Sequence, residues 1–475
     1  MTASRRAFFR ATAGLAAAAA APWAPRIHLP LAMGLAGLGA MANQQARSAG
    51  IHDGYKALVC LYMAGGNDSH NWLLPTDATN RDSYARARGD LAWPTDRVQD
   101  IGNTGQDSGR SFGMPLELAP LRNWYAQGRL AWLANVGTLV RPVTQADYKA
   151  GVGLPAKLFS HNDQAATWQS LQPEGAPTGW GGRMGDLLMA ANQQPVFTAV
   201  SASGNAVFLS GSQVTQYQVG LNGPVAITGA QDGWRAGSSA VPGELRRLLA
   251  DSGANAFEAE YLKVVQRSLA TSSSLQAALA AGPALDLPTA PITLPAGTPL
   301  TLATDALARQ LRIVAKMIAA GPALGMRRQV FMVSIGGFDS HSHQMRDQPL
   351  LMGRVAHAVD WFLQGLAGQG QLNDVLLFSA SDFGRTLASN GDGCDHGWGS
   401  HHFVAGGAVK GGRIHGRMPV TALGTADDLG SGRLLPSTSV TQYAASLGGW
   451  MGLGPADLAT VLPNLGSFSS GLTLT

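Results

Sequence analysis

Three apolar segments of strand length each run into glycine followed by acidic and imidazole side chains. They are Leu58–Ala64, Val330–Ile335 and Val375–Ser381, and each contains almost no charged residue. Such continuous apolar runs are typical of strands that are covered on both faces of a parallel sheet. Strands of this kind place the residues that follow them at the carboxyl edge of the sheet, where open α/β folds build their binding sites.

The rest of the chain alternates between short apolar runs and helical periodicity. Three further strands are predicted, at Leu130–Val136, Val196–Ser201 and His402–Ala405. Helices are predicted at Leu116–Gln127, Asp163–Ser170, Arg183–Ala191, Thr304–Ala320, Gln348–Gly365 and Val440–Met451. This alternation predicts an α/β fold with a mostly parallel central sheet and helices on both faces.

One domain is predicted over residues 43–475, with an inserted cap at about residues 204–300. Residues 204–243 are rich in Gly, Ser, Val and Gln, which favours short strands and turns. The stretch Glu244–Ala281 has a helical pattern that is broken near Ser252, and Gly282–Leu300 is a proline-rich connection.

The first 42 residues are predicted to be a twin-arginine export signal. Arg5 and Arg6 precede Phe8-Phe9 and a modest alanine-rich run, with no acidic residue before Asp53. This pattern predicts delivery by the twin-arginine export machinery to the periplasm or the extracellular space. A chance arginine pair in an uncleaved amphipathic arm is the alternative. Prolines interrupt the apolar run, so no membrane span is expected.

Removal of residues 1–42 makes the charge balance neutral. The segment carries four of the 34 Lys and Arg residues and none of the 30 acidic residues, so 30 of each remain. A neutral chain without a basic run gives no support for nucleic-acid binding. Cys60 and Cys394 could pair in an oxidising compartment, but a buried thiol and a separate loop thiol are the simpler interpretation.

The segment that follows Val375–Ser381 carries the highest density of possible metal ligands. Carboxylates and imidazoles are the oxygen and nitrogen ligands of divalent cations. The candidates within residues 379–407 are Asp382, Asp392, Asp395, His396, His401 and His402.

The segments after the other two strands add more candidates. Asp339, His341 and His343 are spaced by two, so they would point to one side of an extended backbone, and Asp68 follows Gly65-Gly66-Asn67. For each aspartate alone, a turn or cap carboxylate is an equally good interpretation. A lone histidine is more often a surface or core residue than a ligand. Three convergent strand ends favour a site.

Ser160, His161 and Asp163 form one further motif, Leu158-Phe159-Ser160-His161-Asn162-Asp163-Gln164. Ser160 with Asp163 three residues later predicts a helix N-cap. The same hydroxyl at a helix N-terminus could serve as a nucleophile toward a phosphoryl or sulfuryl centre, with His161 beside it.

The motifs YKALVCLYMAGGNDSHN, LFSHNDQAATWQ, GGFDSHSHQ, SDFGRT and DHGWGSHHFVAGGAVKGG, in this order, resemble the family called domain of unknown function 1501. These are exported bacterial proteins of the alkaline-phosphatase-like and sulfatase-like superfamily. The resemblance implies an alkaline-phosphatase-like fold with one or two divalent metal ions, such as zinc, manganese or calcium. It implies the ligands Asp68, Asp339, His341 or His343, Asp395, His396, and His401 or His402, with His401 preferred. Asp382 stands where relatives usually carry Glu.

Two functions follow from these patterns. The first is a metal-dependent hydrolase of phosphate or, less favoured, sulfate esters on a small molecule or polymer. A pair of cations can polarise the ester oxygens and activate the attacking group. The second is a non-catalytic exported binding or assembly protein that keeps the fold and a structural metal. The chain has no dinucleotide fingerprint and no Cys/Ser-x-Pro-x-Arg sulfatase motif.

Overall fold

A computed structural model describes residues 54–102, 104–225, 243, 247, 256–468 and 471–475. The predicted export signal lies outside the described residues. Strands β1 to β17 are, in chain order, Lys56–Met63, Leu74–Pro75, Val98–Asp100, Phe112–Pro115, Leu130–Gly137, Ala199–Ser201, Tyr217–Gly220, Gly223–Pro224, Ile292–Thr293, Pro299–Leu300, Arg328–Ile335, Val375–Ser381, Arg385–Ser389, Cys394–His396, Ser400–Ala405, Ile414–His415 and Thr438–Ser439.

The helices of the described residues pack around this set of strands. Helices α1 to α10 are, in chain order, Ala78–Arg88, Ala119–Ala126, Gln145–Ala150, His161–Ser170, Trp180–Leu188, Ala256–Ala281, Ala306–Ala320, Gln344–Gly368, Val440–Trp450 and Pro455–Val461.

The central sheet is mixed but mostly parallel. Its strand order is β16-β5-β15-β12-β1-β11-β6-β7-β8, and β17 also pairs with β5. The pairs among β12, β1, β11, β6 and β7 are parallel, whereas β15 runs antiparallel to both β12 and β5. The predicted α/β fold with a mostly parallel sheet is therefore confirmed.

Register explains why the three predicted site segments meet. Met63, the last residue of β1, lies opposite Ile335 of β11 and Ser381 of β12. Because the three strands are parallel and end at the same level, the polar residues after them emerge at one edge. All seven residues of β12 are buried, as are seven of the eight in β1, which is the reason for their continuous apolar sequence.

The predicted elements differ from the observed ones mainly at their ends. Strand β12 has the predicted bounds, and α4 begins at His161, two residues before its predicted start. The first half of the predicted strand Val196–Ser201 is instead part of a 3-10 turn, Pro195–Phe197. Pro195 has no backbone N–H to donate to the hydrogen bonds between strands.

The predicted insertion contributes to the central sheet. Strand β7 pairs in parallel with β6, and β8 pairs with β7, so residues 217–224 extend the sheet edge. Helix α6 accounts for the last 26 residues of the predicted helical region, and most of the residues before it lie outside the described residues.

Two further predictions concern cysteines and membrane spans. Cys60 and Cys394 are both buried free thiols, so they do not pair. Among the described residues, no helix is both long and apolar enough to cross a bilayer.

Candidate metal centre

Three imidazoles and one carboxylate converge at the carboxyl edge of the central sheet. His161 begins α4, Asp339 and His341 lie in the loop after β11, and His396 ends β14. Nε2 of His396 lies 3.1 Å from His161 Nε2 and 2.8 Å from His341 Nε2. Oδ1 of Asp339 lies 3.5, 3.2 and 3.5 Å from Nε2 of His161, His341 and His396, respectively. These four side chains form the His–Asp cluster.

Three donor atoms of the His–Asp cluster, Nε2 of His161, Nε2 of His396 and Oδ1 of Asp339, all lie within 4.8 Å of one another. Their separations are 3.1, 3.5 and 3.5 Å, and Nε2 of His341 lies beside two of them, His396 and Asp339. Ligands about 2.0–2.1 Å from a tetrahedral zinc ion are about 3.3–3.4 Å apart. A cation of zinc's size can therefore contact the first three donor atoms together.

The hydrogen bonds on the far side of each ring determine which nitrogen carries the proton. Nδ1 of His161 lies 2.7 Å from Asp382 Oδ2, and Nδ1 of His396 lies 2.6 Å from the Phe159 carbonyl oxygen. Nδ1 of His341 faces Asp395 Oδ1 at 3.5 Å. Because these acceptors call for an N–H at Nδ1, the lone pairs of the neutral rings are at Nε2 and point into the cluster.

The electrostatics of the His–Asp cluster set the protonation states of His396 and Asp339. Burial lowers the pKa of His396, and the Arg385, His161 and His341 charges lower it further against the Phe159 hydrogen bond. Burial raises the pKa of Asp339, but its hydrogen bond and charge interaction with Arg385 outweigh this, and its pKa is lowered overall. A neutral imidazole and an ionised carboxylate are the protonation states that bind metal.

Arg385 fastens the segments that carry the cluster. Its side chain is fully buried, and its Nε donates to the Gly66 carbonyl oxygen at 2.8 Å. Its other nitrogens bond Asp339 and the carbonyl oxygens of Gly65, Phe338 and Cys394. A single guanidinium thus joins the loops after β1 and β11 to β14.

Glycine is required where these loops touch. Gly65 has φ +116°, and a Cβ there would lie 2.4 Å from the Asp339 backbone nitrogen. A side chain at this position would therefore push the loop of β1 away from the cluster.

The segment before α4 is held in an unusual backbone conformation. Lys157 and Phe159 both have positive φ, 43° and 73°, although neither is glycine. This conformation presents the Phe159 carbonyl oxygen to His396. Left-handed conformations of such residues cost on the order of 1–3 kcal/mol, and they persist where the surrounding structure requires them.

Several of the predicted ligands lie near the cluster without reaching its centre. Asp382 accepts from Tyr62 Oη at 2.7 Å through Oδ1 and contacts His161 and the Gly65 amide through Oδ2. Both its oxygens are therefore occupied, so the predicted ligand Asp382 is an orienting residue. Asp395 likewise contacts His341 and accepts from Asn390.

Three other predicted ligands lie elsewhere. Asp68 is buried, is paired with Arg88, and accepts a hydrogen bond from Gln344. His343 has φ +55°, which ends the extended spacing, and its backbone amide bonds Asp392. His401 is buried in β15, where its Nδ1 accepts from the Asn135 amide at 3.1 Å. His402, the alternative to His401, is also buried and contacts Ser379. In the structure, Asp68, His343 and His401 therefore do not join the His–Asp cluster.

The proposed nucleophile occupies the predicted position with a different hydrogen bond. Ser160 is the N-cap residue of α4, but its hydroxyl caps no backbone amide. It donates instead to Asp163 Oδ2 at 2.8 Å. Its neighbour His161, predicted to be catalytic, belongs to the His–Asp cluster.

Sequence reasoning missed three residues of this region. Arg385 lies within the motif SDFGRT, so its arginine was a usable signal. Tyr62 lies in an apolar strand, and the Phe159 carbonyl group has no sequence signature at all.

The cluster is accessible from solvent. The side chains of Asp339 and His341 are 48% and 45% exposed, whereas Asp382 behind them is 6% exposed. An accessible cation with an orienting layer behind it can accept a substrate oxygen, as catalytic metal centres do.

Comparisons with known proteins agree with the sequence motifs. The family described as "Protein of unknown function (DUF1501)" matches residues 55–461. No curated protein matches the chain.

Solved structures show low similarity. The crystal structure of Ps i-CgsB in complex with k-i-k-neocarrahexaose is 11% identical, with 85% of this chain and 74% of that chain covered and a TM-score of 0.33. The crystal structure of PsFucS1 sulfatase from Pseudoalteromonas sp. is 10% identical, with 89% and 76% covered and a TM-score of 0.33.

Proposed function

We propose that this chain, which belongs to the DUF1501 family, is a metal-dependent hydrolase of phosphate esters, with sulfate esters as the less favoured substrate. The observation that carries the proposal is the convergence of the Nε2 atoms of His161, His341 and His396 on Asp339. Nε2 of His161, Nε2 of His396 and Oδ1 of Asp339 all lie within 4.8 Å of one another, and this arrangement, without a proton to share between the imidazoles, calls for a cation.

The donor set favours some cations over others. Three imidazole nitrogens and one carboxylate oxygen suit zinc and, less closely, manganese, whereas calcium prefers an all-oxygen shell. When bound, such an ion would act as a Lewis acid on the ester oxygen and lower the pKa of a coordinated water. Asp382, Asp395 and the Phe159 carbonyl group would keep the three rings oriented.

One cation is proposed rather than two. Asp68 is the residue that the resemblance assigns to a metal at the end of β1, and its carboxylate is already neutralised by the fully buried Arg88. An arginine guanidinium is permanently charged and cannot be displaced without leaving an unpaired buried charge. Asp339 also bonds an arginine, Arg385, but it is 48% exposed, whereas Asp68 and Arg88 are both fully enclosed, so Arg88 takes the place of a second ion.

Elemental analysis tests the metal. Purified protein should retain about one equivalent of zinc or manganese after exchange into metal-free buffer. The His396→Ala variant should retain less than about a tenth of that amount. The matched control is His357→Ala, on α8 away from the cluster, which should bind as the wild type does. Wild-type protein that still binds no ion after incubation with zinc and manganese would refute the proposal.

Turnover tests the reaction. The metal-loaded protein should hydrolyse at least one member of a panel of aryl phosphate monoesters, aryl phosphate diesters and aryl sulfates, and His396→Ala should lower the rate to background. A full metal complement without turnover would favour the second candidate function.

That second candidate is a non-catalytic exported binding or assembly protein. It is favoured by the orientation of Ser160, whose hydroxyl bonds Asp163. A structural cation in the same four ligands would then hold together the loop after β11, β14 and the start of α4.

Location outside the cytoplasm is also part of the proposal. Arg5 and Arg6 with the following alanine-rich run support delivery by the twin-arginine machinery to the periplasm or beyond. Replacement of both residues, Arg5→Lys with Arg6→Lys, should retain the protein in the cytoplasm, as measured by cell fractionation. Unchanged export would exclude this route.

A further inference from the structure

A cleft of about 500 Å³ lies beside the His–Asp cluster, at the carboxyl ends of β1, β11 and β6. Tyr62 lines it and connects it to the cluster, because its hydroxyl donates to Asp382, which in turn contacts His161. The cleft and the cluster are therefore neighbours on either side of the Tyr62–Asp382 pair. Clefts at this edge of a parallel sheet are the usual ligand sites of α/β folds.

One wall of the cleft is a face of α4. The residues Asn162, Ala165, Ala166 and Gln169 repeat at the i, i+3, i+4, i+7 spacing that places side chains on one side of a helix. Such a face is normally apolar and packed against a core. Here small and amide side chains border open space, and this same helix begins with His161 in the cluster.

The rest of the lining combines polar, uncharged side chains with the apolar residues Ala206, Val207 and Met332. Ser203 and Asn205 follow β6, and Ser334 lies near the end of β11. Oδ1 of Asn205 accepts from Gln216 at 2.8 Å, and Oε1 of Gln169 accepts from the Phe208 amide at 3.2 Å. Each amide still has hydrogen-bonding capacity for a ligand, and its N–H groups match hydroxyl and carbonyl oxygens.

The charge of the cleft excludes a highly charged occupant. Among the described residues that line it there is no Lys, Arg or His, and the one ionisable carboxylate is Glu174. A polymer with a negative group on every unit would meet this carboxylate without a compensating cation. An apolar ligand would leave the amides and hydroxyls without partners.

We infer that the cleft binds an uncharged, hydroxyl-rich unit of the substrate, such as a neutral sugar residue that carries a single ester group to the His–Asp cluster. The inference rests on the proposed function for the role of that ester group. The binding of the uncharged unit itself depends only on the cleft.

Calorimetric titration tests the inference without turnover. The probes are neutral gluco-, galacto- and manno-hexaoses, and hexagalacturonate beside its fully methyl-esterified form, which replaces each negative charge with a methyl ester. At least one neutral probe should bind with a Kd below about 1 mM, and hexagalacturonate should bind at least tenfold more weakly than its methyl ester. Equal or tighter binding of the charged form, or no binding of any neutral probe, would overturn the inference.

Two variants assign the binding to the cleft. Ala166→Trp should fill it and weaken the binding of the neutral probe at least tenfold, whereas Ala85→Trp, on the exposed side of α1, should not change the Kd. Where Ala166→Trp fails to fold, Glu174→Lys on an exposed loop provides the check, since it should tighten hexagalacturonate binding at least threefold. An unchanged Kd for hexagalacturonate in Glu174→Lys would count against the cleft.

The His396→Ala variant separates the two proposals. It removes the metal centre but leaves the cleft, so it should lose metal and still bind the neutral probe. A wild-type protein that retains metal but binds no neutral probe would refute only the cleft. A wild-type protein that binds a neutral probe but no metal would refute only the metal centre.

Discussion

Two strand-end segments of similar composition have different environments in this fold. The segment after β11 sends Asp339 and His341 to an accessible cluster, whereas the segment after β1 sends Asp68 into a fully buried ion pair with Arg88. Arg88 ends α1, and it also donates to the Thr386 and Leu387 carbonyl oxygens. Asp339 also pairs with an arginine, the fully buried Arg385, so the difference is one of access: Asp68 is enclosed together with Arg88, whereas Asp339 is 48% exposed beside the imidazoles.

This comparison shows what a strand-end Asp-His motif can and cannot predict. Parallel strands that end in register bring the motifs to one edge of the sheet, but they do not determine which motif stays available to bind a metal. That depends on residues far away in sequence, here an arginine 20 positions after Asp68. A carboxylate is a better candidate ligand where it stays accessible beside other donor atoms, as Asp339 does, than where it is enclosed with its arginine, as Asp68 is.

The largest effect is expected from breaking the buried pair. Arg88→Met would leave the Asp68 carboxylate buried without its cation, so it should lower the free energy of unfolding by about 3–5 kcal/mol. Chemical denaturation in the presence of a chelator measures this effect without a contribution from metal. Arg86→Met on the same helix is the matched control, because Arg86 is exposed and its ion pair with Asp82 is 4.0 Å long.

The double variant Asp68→Asn with Arg88→Met sharpens this result. It removes both charges together, so it should be more stable than Arg88→Met alone. If Arg88→Met were as stable as Arg86→Met, the view of Arg88 as a built-in replacement for a metal would be wrong.

The next largest effect is the loss of stability in acid that the buried histidines cause. Burial lowers the pKa of His70 to about 4 and that of His402 to about 3. Between these values and the ordinary value of about 6.5, the unfolded chain binds protons that the folded chain does not. The free energy of unfolding should therefore fall as the pH is lowered from 7 to 4, by on the order of 3 kcal/mol for each such histidine.

Denaturation at several pH values with a chelator present measures the slope of the free energy of unfolding against pH without a contribution from bound metal. His402→Gln should reduce the slope, because the unfolded chain then has one fewer proton to bind. An unchanged slope in that variant would show that other groups cause the acid sensitivity. Repeating the series with zinc adds the contribution of the His–Asp cluster, which must lose protons to bind metal.

The sequence predicted the fold better than the site, for a physical reason. Strand β12 is buried on both faces, so its apolar run of seven residues is enough to predict the strand and its bounds. By contrast, His396 is oriented by a backbone carbonyl group, and His343 is turned away by a left-handed φ. Neither a carbonyl contact nor a single positive φ at a non-glycine residue can be predicted from residue types.

A third test concerns the layer behind the cluster. Asp382→Asn keeps the shape of the side chain but weakens its acceptance of the His161 Nδ1–H bond. Replacement of such outer residues typically lowers metal affinity about 10- to 100-fold, and zinc competition with a chromophoric chelator measures the change. Asp392→Asn is the control, because Asp392 contacts His343 and not the cluster. A zinc affinity unchanged by Asp382→Asn would contradict the orienting role.

The smallest effect is expected at Ser160. Its hydroxyl donates to Asp163 and caps no amide of α4, whereas Thr144 at the start of α3 makes both bonds of a capping box. Ser160→Ala should therefore cost less stability than Thr144→Ala, which removes a cap worth about 1 kcal/mol.

Because the Ser160 hydroxyl is bonded to Asp163 in the structure, Ser160→Asn should lower the rate on any aryl ester substrate by less than about tenfold. If Ser160 is instead the nucleophile, the folded Asn variant would lose about 10³-fold or more, far beyond a stability effect. Such a loss would mean that the hydroxyl leaves Asp163 and turns toward the cluster when substrate binds.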